Sequence, residues 1–173
     1  NLNFQNLKFP QLTYKICTIE DYSYFVSAIS EDSKLEIIYN RLLKPYEYKG
    51  FIIVDEEDSA LVYYSWICLK KQYYCKEMNQ YITLKKNMAL FEDDYTFEKY
   101  RQKGLHTFMM YKRIEYCIDN NIHKIFIIIQ SNNYIAKKTI KKFNFKRKWN
   151  IPIYYRKGAI EYTINKIKLW ILK

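Results

Sequence analysis

Hydrophobic and polar positions along this chain change period several times, and each change marks the start of a new element. A strand over Tyr14–Thr18 gives way to Tyr22, Phe25, Val26 and Ile29 at helical spacing, with Thr18 as the cap and Asp21 three residues on. A second helix is predicted over Asp32–Leu43, capped by Ser30 or Asp32 and stopped by Pro45. Gly50 opens the short apolar strand Phe51–Val54, and Ala60–Leu69 forms another, followed by a hairpin or loop through a Lys-rich stretch. Tyr81–Phe97 reads as one long strand with a bend, where Glu92-Asp93-Asp94 replaces the apolar residues that end at Phe91. Leu105, Phe108, Met109, Lys112 and Tyr116 mark one side of the next helix. Ile125–Ile129 is a strand covered on both faces, Tyr134–Phe143 a further helix, and strands over Phe145–Tyr155 and Ala159–Leu172 finish the chain. The order βααβββαβαββ, without internal repeat or Pro/Gly/Ser-rich linker, predicts one mixed α/β domain over residues 1–173.

Three features of this pattern carry chemistry. Three adjacent carboxylates on a strand are costly, because burying an ionised carboxyl takes several kcal/mol unless it is paired. The stretch Glu92–Asp94 therefore faces a wet cleft or flanks a bulge. Gly104, one of three glycines, stands where a strand-like stretch passes into a helix, within Arg101-Gln102-Lys103-Gly104-Leu105-His106. Glycine there answers a steric need, either an unusual dihedral or close backbone approach. The first-turn amides from Gln102 to Thr107 lack intrahelical partners, and the helix dipole favours an anion such as a phosphate beside them. Lys103 adds a mobile charge. Finally, Tyr63, Tyr64, Trp66, Tyr73 and Tyr74 are candidates for an acceptor pocket, although aromatic residues on a half-buried sheet more often build core.

Composition narrows the function classes. The formal charge of +11 invites a nucleic-acid partner, but only five of the 29 basic residues are Arg, and they are spread along the chain. Nucleic acid is thus the secondary reading. Cys17, Cys68, Cys75 and Cys117 stand at irregular spacings beside only two histidines, so no metal site and no Cys-His nucleophile is expected. No apolar run approaches the ~20 residues of a membrane span, and the start shows no secretory pattern. A cytoplasmic protein without a membrane partner is expected. The last strand, with Trp170, offers an edge for a homodimer.

The Arg101–His106 run resembles the Gln/Arg-x-x-Gly-x-Gly/Ala hallmark of the GNAT superfamily of N-acetyltransferases. A second family pattern follows 32 residues later, as Asn133-Tyr134-Ile135-Ala136, then Ile140 and Asn144-Phe145. The resemblance is close from Leu90 to Phe145 and rests on element order elsewhere. It implies a mostly antiparallel central sheet flanked by about four helices, with strands splayed by a bulge where the acyl-CoA enters. It also implies acetyl-CoA as co-substrate, with its diphosphate on Arg101, Gln102, Lys103, Gly104, Leu105, His106 and Thr107. The pantetheine arm would pair with the backbone of Asp94, Tyr95 and Thr96, with Asn133 on its far side.

The implied reaction is direct attack of a primary amine on the thioester in a ternary complex. An amine attacks only when deprotonated, so a base is needed. The resemblance nominates Glu92 first, nine residues before Arg101 and expected on the same strand face as Asp94, with Asp94 second. A backbone amide near Thr96 would form the oxyanion hole. Two departures stand out. Ile140 occupies the position of the Tyr that protonates the leaving thiolate, with Tyr95 or Tyr134 as substitutes, and His106 replaces the usual Gly/Ala. A thiolate with an ordinary pKa of about 8.5 leaves without much help. The acceptor is expected to be an amino sugar or other small amine. The alternatives are a macromolecular amine, on a protein or an aminoacyl-tRNA, and a non-catalytic acyl-CoA-binding module.

Overall fold

The computed structural model describes residues 11–75, 79–130, 132–157 and 160–172. These form two compact units, one built from the described residues up to Leu69 together with Glu92–Tyr116, the other from the described residues of Lys70–Phe91 and those from Cys117 onward. Across the described residues, four α-helices and mostly antiparallel strands make the mixed α/β fold expected from sequence.

In the first unit, β1 (Leu12–Cys17), β2 (Tyr48–Asp55) and β3 (Ala60–Cys68) form an antiparallel meander. The second half of β6 (Met88–Thr96) lies beside β3. Alternation along β2 and β3 sorts side chains to two faces. On one face Ile52, Val54, Tyr64 and Trp66 pack with Phe25 of α1 (Tyr22–Ala28) and with Ile38 and Leu42 of α2 (Asp32–Leu42). On the other, Phe51 meets Tyr116 of α3 (Leu105–Asp119) at 5.5 Å between ring centroids, and Phe108 of α3 packs edge-on against Tyr14. Thr18 opens the first helical segment as predicted, its N–H donating to Asp21 Oδ2 at 2.9 Å. The cap of α2 is Glu31, with Asp32 already helical, so neither Ser30 nor Asp32 fills that role. Gly50 is required by space, since a Cβ there would stand 2.9 Å from the Trp66 ring across the β2–β3 pair.

In the second unit the first half of β6 pairs in parallel with β7 (Lys124–Gln130), which is antiparallel to β9 (Ile160–Leu172). β9 in turn is antiparallel to β8 (Lys146–Lys157). A separate hairpin, β4 (Gln72–Cys75) with β5 (Gln80–Thr83), and α4 (Tyr134–Lys142) complete it. Two sequence expectations change here. The long strand Tyr81–Phe97 is two strands, because the polar Lys85-Lys86-Asn87 segment turns the chain between β5 and β6. The last strand is not an open edge along its second half, since Ile167–Ile171 pairs with β7 on one side and with β8 on the other. Trp170 lies in that doubly paired stretch, while Ala159 and the side chain of Trp170 lie outside the described residues.

Candidate functional site

The acidic run of β6 is shaped by one backbone irregularity. Asp93 has φ of 51°, in the left-handed region that Asp tolerates better than most residues, and such a residue inside a strand is the mark of a bulge. The extra residue turns its neighbours to opposite faces. Glu92 stands on the α2 side, where Arg41 Nη2 lies 3.4 Å from its Oε1, and Arg41 Nη1 also pairs with Asp93 Oδ2 at 2.5 Å. Burial works against the charge on Arg41, but Glu92 and Asp93 outweigh it and raise its pKa. Asp94 stands on the α3 side. Its Oδ1 accepts from the Tyr63 hydroxyl and from Arg113 Nη2 at 2.5 Å, and His106 Nε2 is 3.6 Å away. Glu92 and Asp94 thus do not share a face, contrary to the simple two-residue alternation expected from sequence.

Arg113 is fully buried, with its Nη2 also 3.0 Å from the sulfur of Met110. Tyr63 is equally buried, and burial followed by the Asp94 charge pushes its pKa well up, so it remains a hydroxyl donor. Burial also lowers the pKa of His106. Arg113 acts in the same direction and Asp94 opposes it, which leaves a neutral imidazole at neutral pH.

On the α2 side lies a cavity of about 270 Å³, with Tyr64, Trp66, Tyr95, Lys34, Arg41 and Asp93 in its wall. Tyr64 and Tyr95 stack at 5.6 Å, and Arg41 sits 5.4 Å from the Trp66 ring. Among the aromatic candidates, Tyr64 and Trp66 therefore reach a cavity, Tyr63 points to the opposite face, and Tyr73 and Tyr74 belong to the β4–β5 hairpin. Lys34 and Arg41 were not singled out by sequence reasoning, and Asp93 was so only as a member of the acidic run. The available signal was the cluster of three acids, which demands cations from elsewhere in a chain with few arginines.

The loop into α3 has two left-handed residues, Gln102 (φ 62°) and Gly104 (φ 78°). Nothing lies within 4 Å of where a Cβ on Gly104 would be, so the dihedral, not close packing, selects glycine. The open space over Gly104 and the first-turn amides that follow it fit an anionic group. Arg101 folds back along β6, its Nε donating to the Thr96 carbonyl at 3.0 Å and its Nη1 pairing with Glu98. Lys103 Nζ lies 5.1 Å from the Tyr100 ring centroid. Leu105 is buried and anchors the helix start, while Thr107 is half-buried.

In the second unit Asn133 caps α4, its Oδ1 accepting from the Ala136 N–H at 3.0 Å, which leaves its amide NH₂ as a donor. Ile140 is core at 1% exposure, and Asn144 takes the left-handed conformation (φ 59°) that ends the helix. Tyr134 is exposed with Lys137 over its ring. All four cysteines are buried free thiols, and burial pushes Cys17 up to about 12, far from nucleophilic readiness. Among the described residues no group of His, Cys, Asp and Glu is arranged to hold a metal ion, and no helix is long and apolar enough to cross a membrane.

Residues 18–145 match the model of the acetyltransferase (GNAT) family. No curated protein matches the sequence. Among solved structures, the spermidine N-acetyltransferase of Vibrio cholerae in complex with CoA and spermine superposes with a TM-score of 0.65 at 14% identity, covering 94% of this chain and 95% of that one. A dodecameric structure of spermidine N-acetyltransferase from the same organism gives 0.64 at 15% identity, covering 94% and 93%. At these identities the likeness concerns the fold.

Proposed function

This chain belongs to the acetyltransferase (GNAT) family and is an N-acetyltransferase, and from that premise we propose that it acetylates a small primary amine, an amino sugar being one such acceptor. The family uses acetyl-CoA, and the observation that carries the proposal is the Gln102–Gly104 loop. Two left-handed residues turn the chain so that α3 begins with open space over Gly104. In this reading the amides from Gln102 to Thr107 bind the diphosphate, with Lys103 beside them. Arg101 acts by holding the loop to Thr96 and Glu98. The backbone of Asp94, Tyr95 and Thr96, just past the bulge, pairs with the pantetheine, and an amide near Thr96 takes the oxyanion. Asn133 is assigned to the cofactor by its family position alone.

When bound, acetyl-CoA supplies an activated acyl group, and the chain must supply a proton acceptor for the attacking amine. Glu92 is the better base. Arg41 Nη2 stands 3.4 Å from its Oε1, and Arg41 itself borders the aromatic-walled cavity. Asp94 is the weaker candidate, because Tyr63 and Arg113 already occupy its Oδ1, and it acts instead by fixing β6 to α3. Ile140, buried and without a proton to give, leaves protonation of the thiolate to another donor, and Tyr95 in the cavity wall is assigned that role. Small-amine acetylation is also in line with the Vibrio cholerae structure that holds CoA and spermine.

Calorimetry with acetyl-CoA tests the cofactor site. Gly104→Asn, which tolerates a left-handed φ, is expected to bind within about threefold of wild type, whereas Gly104→Glu loses at least a hundredfold through charge repulsion and strain. Equal affinity for both variants would move the diphosphate elsewhere.

A further inference from the structure

The cavity beside the bulge has an uneven charge pattern. Its three acidic members are engaged, since Asp93 pairs with Arg41, Asp94 pairs with Arg113, and Glu31 Oε1 accepts from the Ser33 hydroxyl at 2.8 Å. Lys34 is different. Its Nζ lies 5.1 Å from the Tyr95 centroid and 5.6 Å from that of Tyr64, and no carboxylate is within ion-pairing distance of it among the described residues. The hydrogen bond with Tyr64, helped by the more distant charge of Asp93, outweighs burial and keeps its pKa raised, so the ammonium is charged. A protonated lysine therefore already occupies the two-ring aromatic position that would attract a cationic ligand. A polyamine entering this cavity would bring a second cation against Lys34, and against Arg41 behind it. An anion would find both charge and space.

We infer that the acceptor carries an anionic group, a carboxylate or a phosphate, besides its amine, and that Lys34 receives this anion. The inference deepens the acetyltransferase reading and rests on it. It places the anion among Lys34, Tyr64 and Tyr95, with the amine end toward the bulge residues Asp93 and Asp94, which also border the cavity. Selectivity then comes from an electrostatic mismatch as much as from attraction, since spermidine offers positive charge where the chain already has one.

The test is calorimetry on the CoA-bound protein with matched ligand pairs. Glycine, β-alanine, 4-aminobutanoate and 6-aminohexanoate are each compared with their carboxamides, 2-aminoethyl phosphate with ethanolamine, and spermidine is run alone. At least one anion is expected to bind tenfold or more tightly than its neutral partner and than spermidine. A best carboxylate or a best phosphate identifies the source of the anion. In Lys34→Gln that preference is expected to fall to about one, and in Lys34→Arg to persist. Spermidine or the neutral partners binding as well as every anion, or a preference that survives Lys34→Gln, overturns the inference. So does the absence of binding by all anions to a protein that does bind acetyl-CoA. Failure to bind acetyl-CoA at all would instead strike the acetyltransferase reading beneath it.

Discussion

Arg41 and Arg113 answer the same run of carboxylates from opposite sides of β6, yet they live in different surroundings. Arg113 is wholly enclosed, between Tyr63, Met110 and Asp94. Arg41 keeps 13% of its side chain exposed, lies against Trp66 and Tyr48, and borders a cavity. The difference follows from the single left-handed residue between their partners, Asp93. One extra residue in the strand sends Glu92 toward the partly exposed Arg41, which makes that the wet side for the cations, and Asp94 toward the enclosed Arg113, the dry side, although Asp94 itself keeps more exposure (24%) than Glu92 (9%). A run that looks in sequence like one acidic site is thus two ion-pair clusters, one on Arg41 and one on Arg113, back to back.

The largest effect should come from the dry side. Arg113→Met leaves Asp94 and the Tyr63 hydroxyl without their cation, and breaking such a pair typically costs about 3–5 kcal/mol. Asp94 keeps 24% of its side chain exposed, so the lower end, about 3 kcal/mol, is expected in urea unfolding. Adding Asp94→Asn to Arg113→Met should recover part of that loss, because the orphaned charge is then gone. A cost under about 1 kcal/mol would mean that water reaches Asp94 and that the two sides are alike.

A smaller stability effect and a larger functional one are expected on the wet side. Arg41→Met removes a long, 3.4 Å contact to the 9% exposed Glu92 and a short one to Asp93, whose side chain is 52% exposed, for about 2 kcal/mol. Acetyl-CoA affinity should stay within about threefold, while kcat/KM for an amine falls about tenfold or more, as one to two kcal/mol of lost transition-state stabilisation would give. If Arg41→Met and Arg113→Met lower stability equally and spare turnover, both arginines are scaffold.

The contrast also explains what the chain disclosed before its structure did. Gly104 was legible because a strand-to-helix junction in a glycine-poor chain restricts the reasons for a glycine, and its φ of 78° supplies the reason. The helices and most strands were legible from period alone. The faces of Glu92 and Asp94 were not, because alternation assumes an unbroken ladder and a bulge needs only one tolerant residue, which Asp93 is. Lys34, Arg41 and Arg113 were hidden for another reason. They sit on helices 52 or more residues from Asp93, or 19 beyond Asp94, and only the tertiary fold brings those helices to the strand. The final strand misled similarly, since β9 reads as a terminal edge by position but pairs on both sides from Ile167 onward.

The smallest effect is a matter of sign. His106 faces Asp94 of β6 and Arg113 of its own helix, and burial, aided by Arg113, holds its pKa below the ordinary 6.5 despite Asp94. As pH falls below about 6.5 the unfolded chain takes up this proton before the folded one does, so His106 makes stability decrease with acidification. The loss runs from about 6.5 down to the depressed folded value and then levels, with a slope of at most ~1.4 kcal/mol per pH unit for one proton. Urea unfolding of wild type and His106→Gln at pH 7.5 and 5.5 measures it. The stability gap between the two pH values should be narrower in His106→Gln. If the carboxylate of Asp94 dominated instead, protonated His106 would stabilise the fold, and removing it would widen the gap. That result would make His106 a second cation of the Asp94–Arg113 pair and not its neutral neighbour.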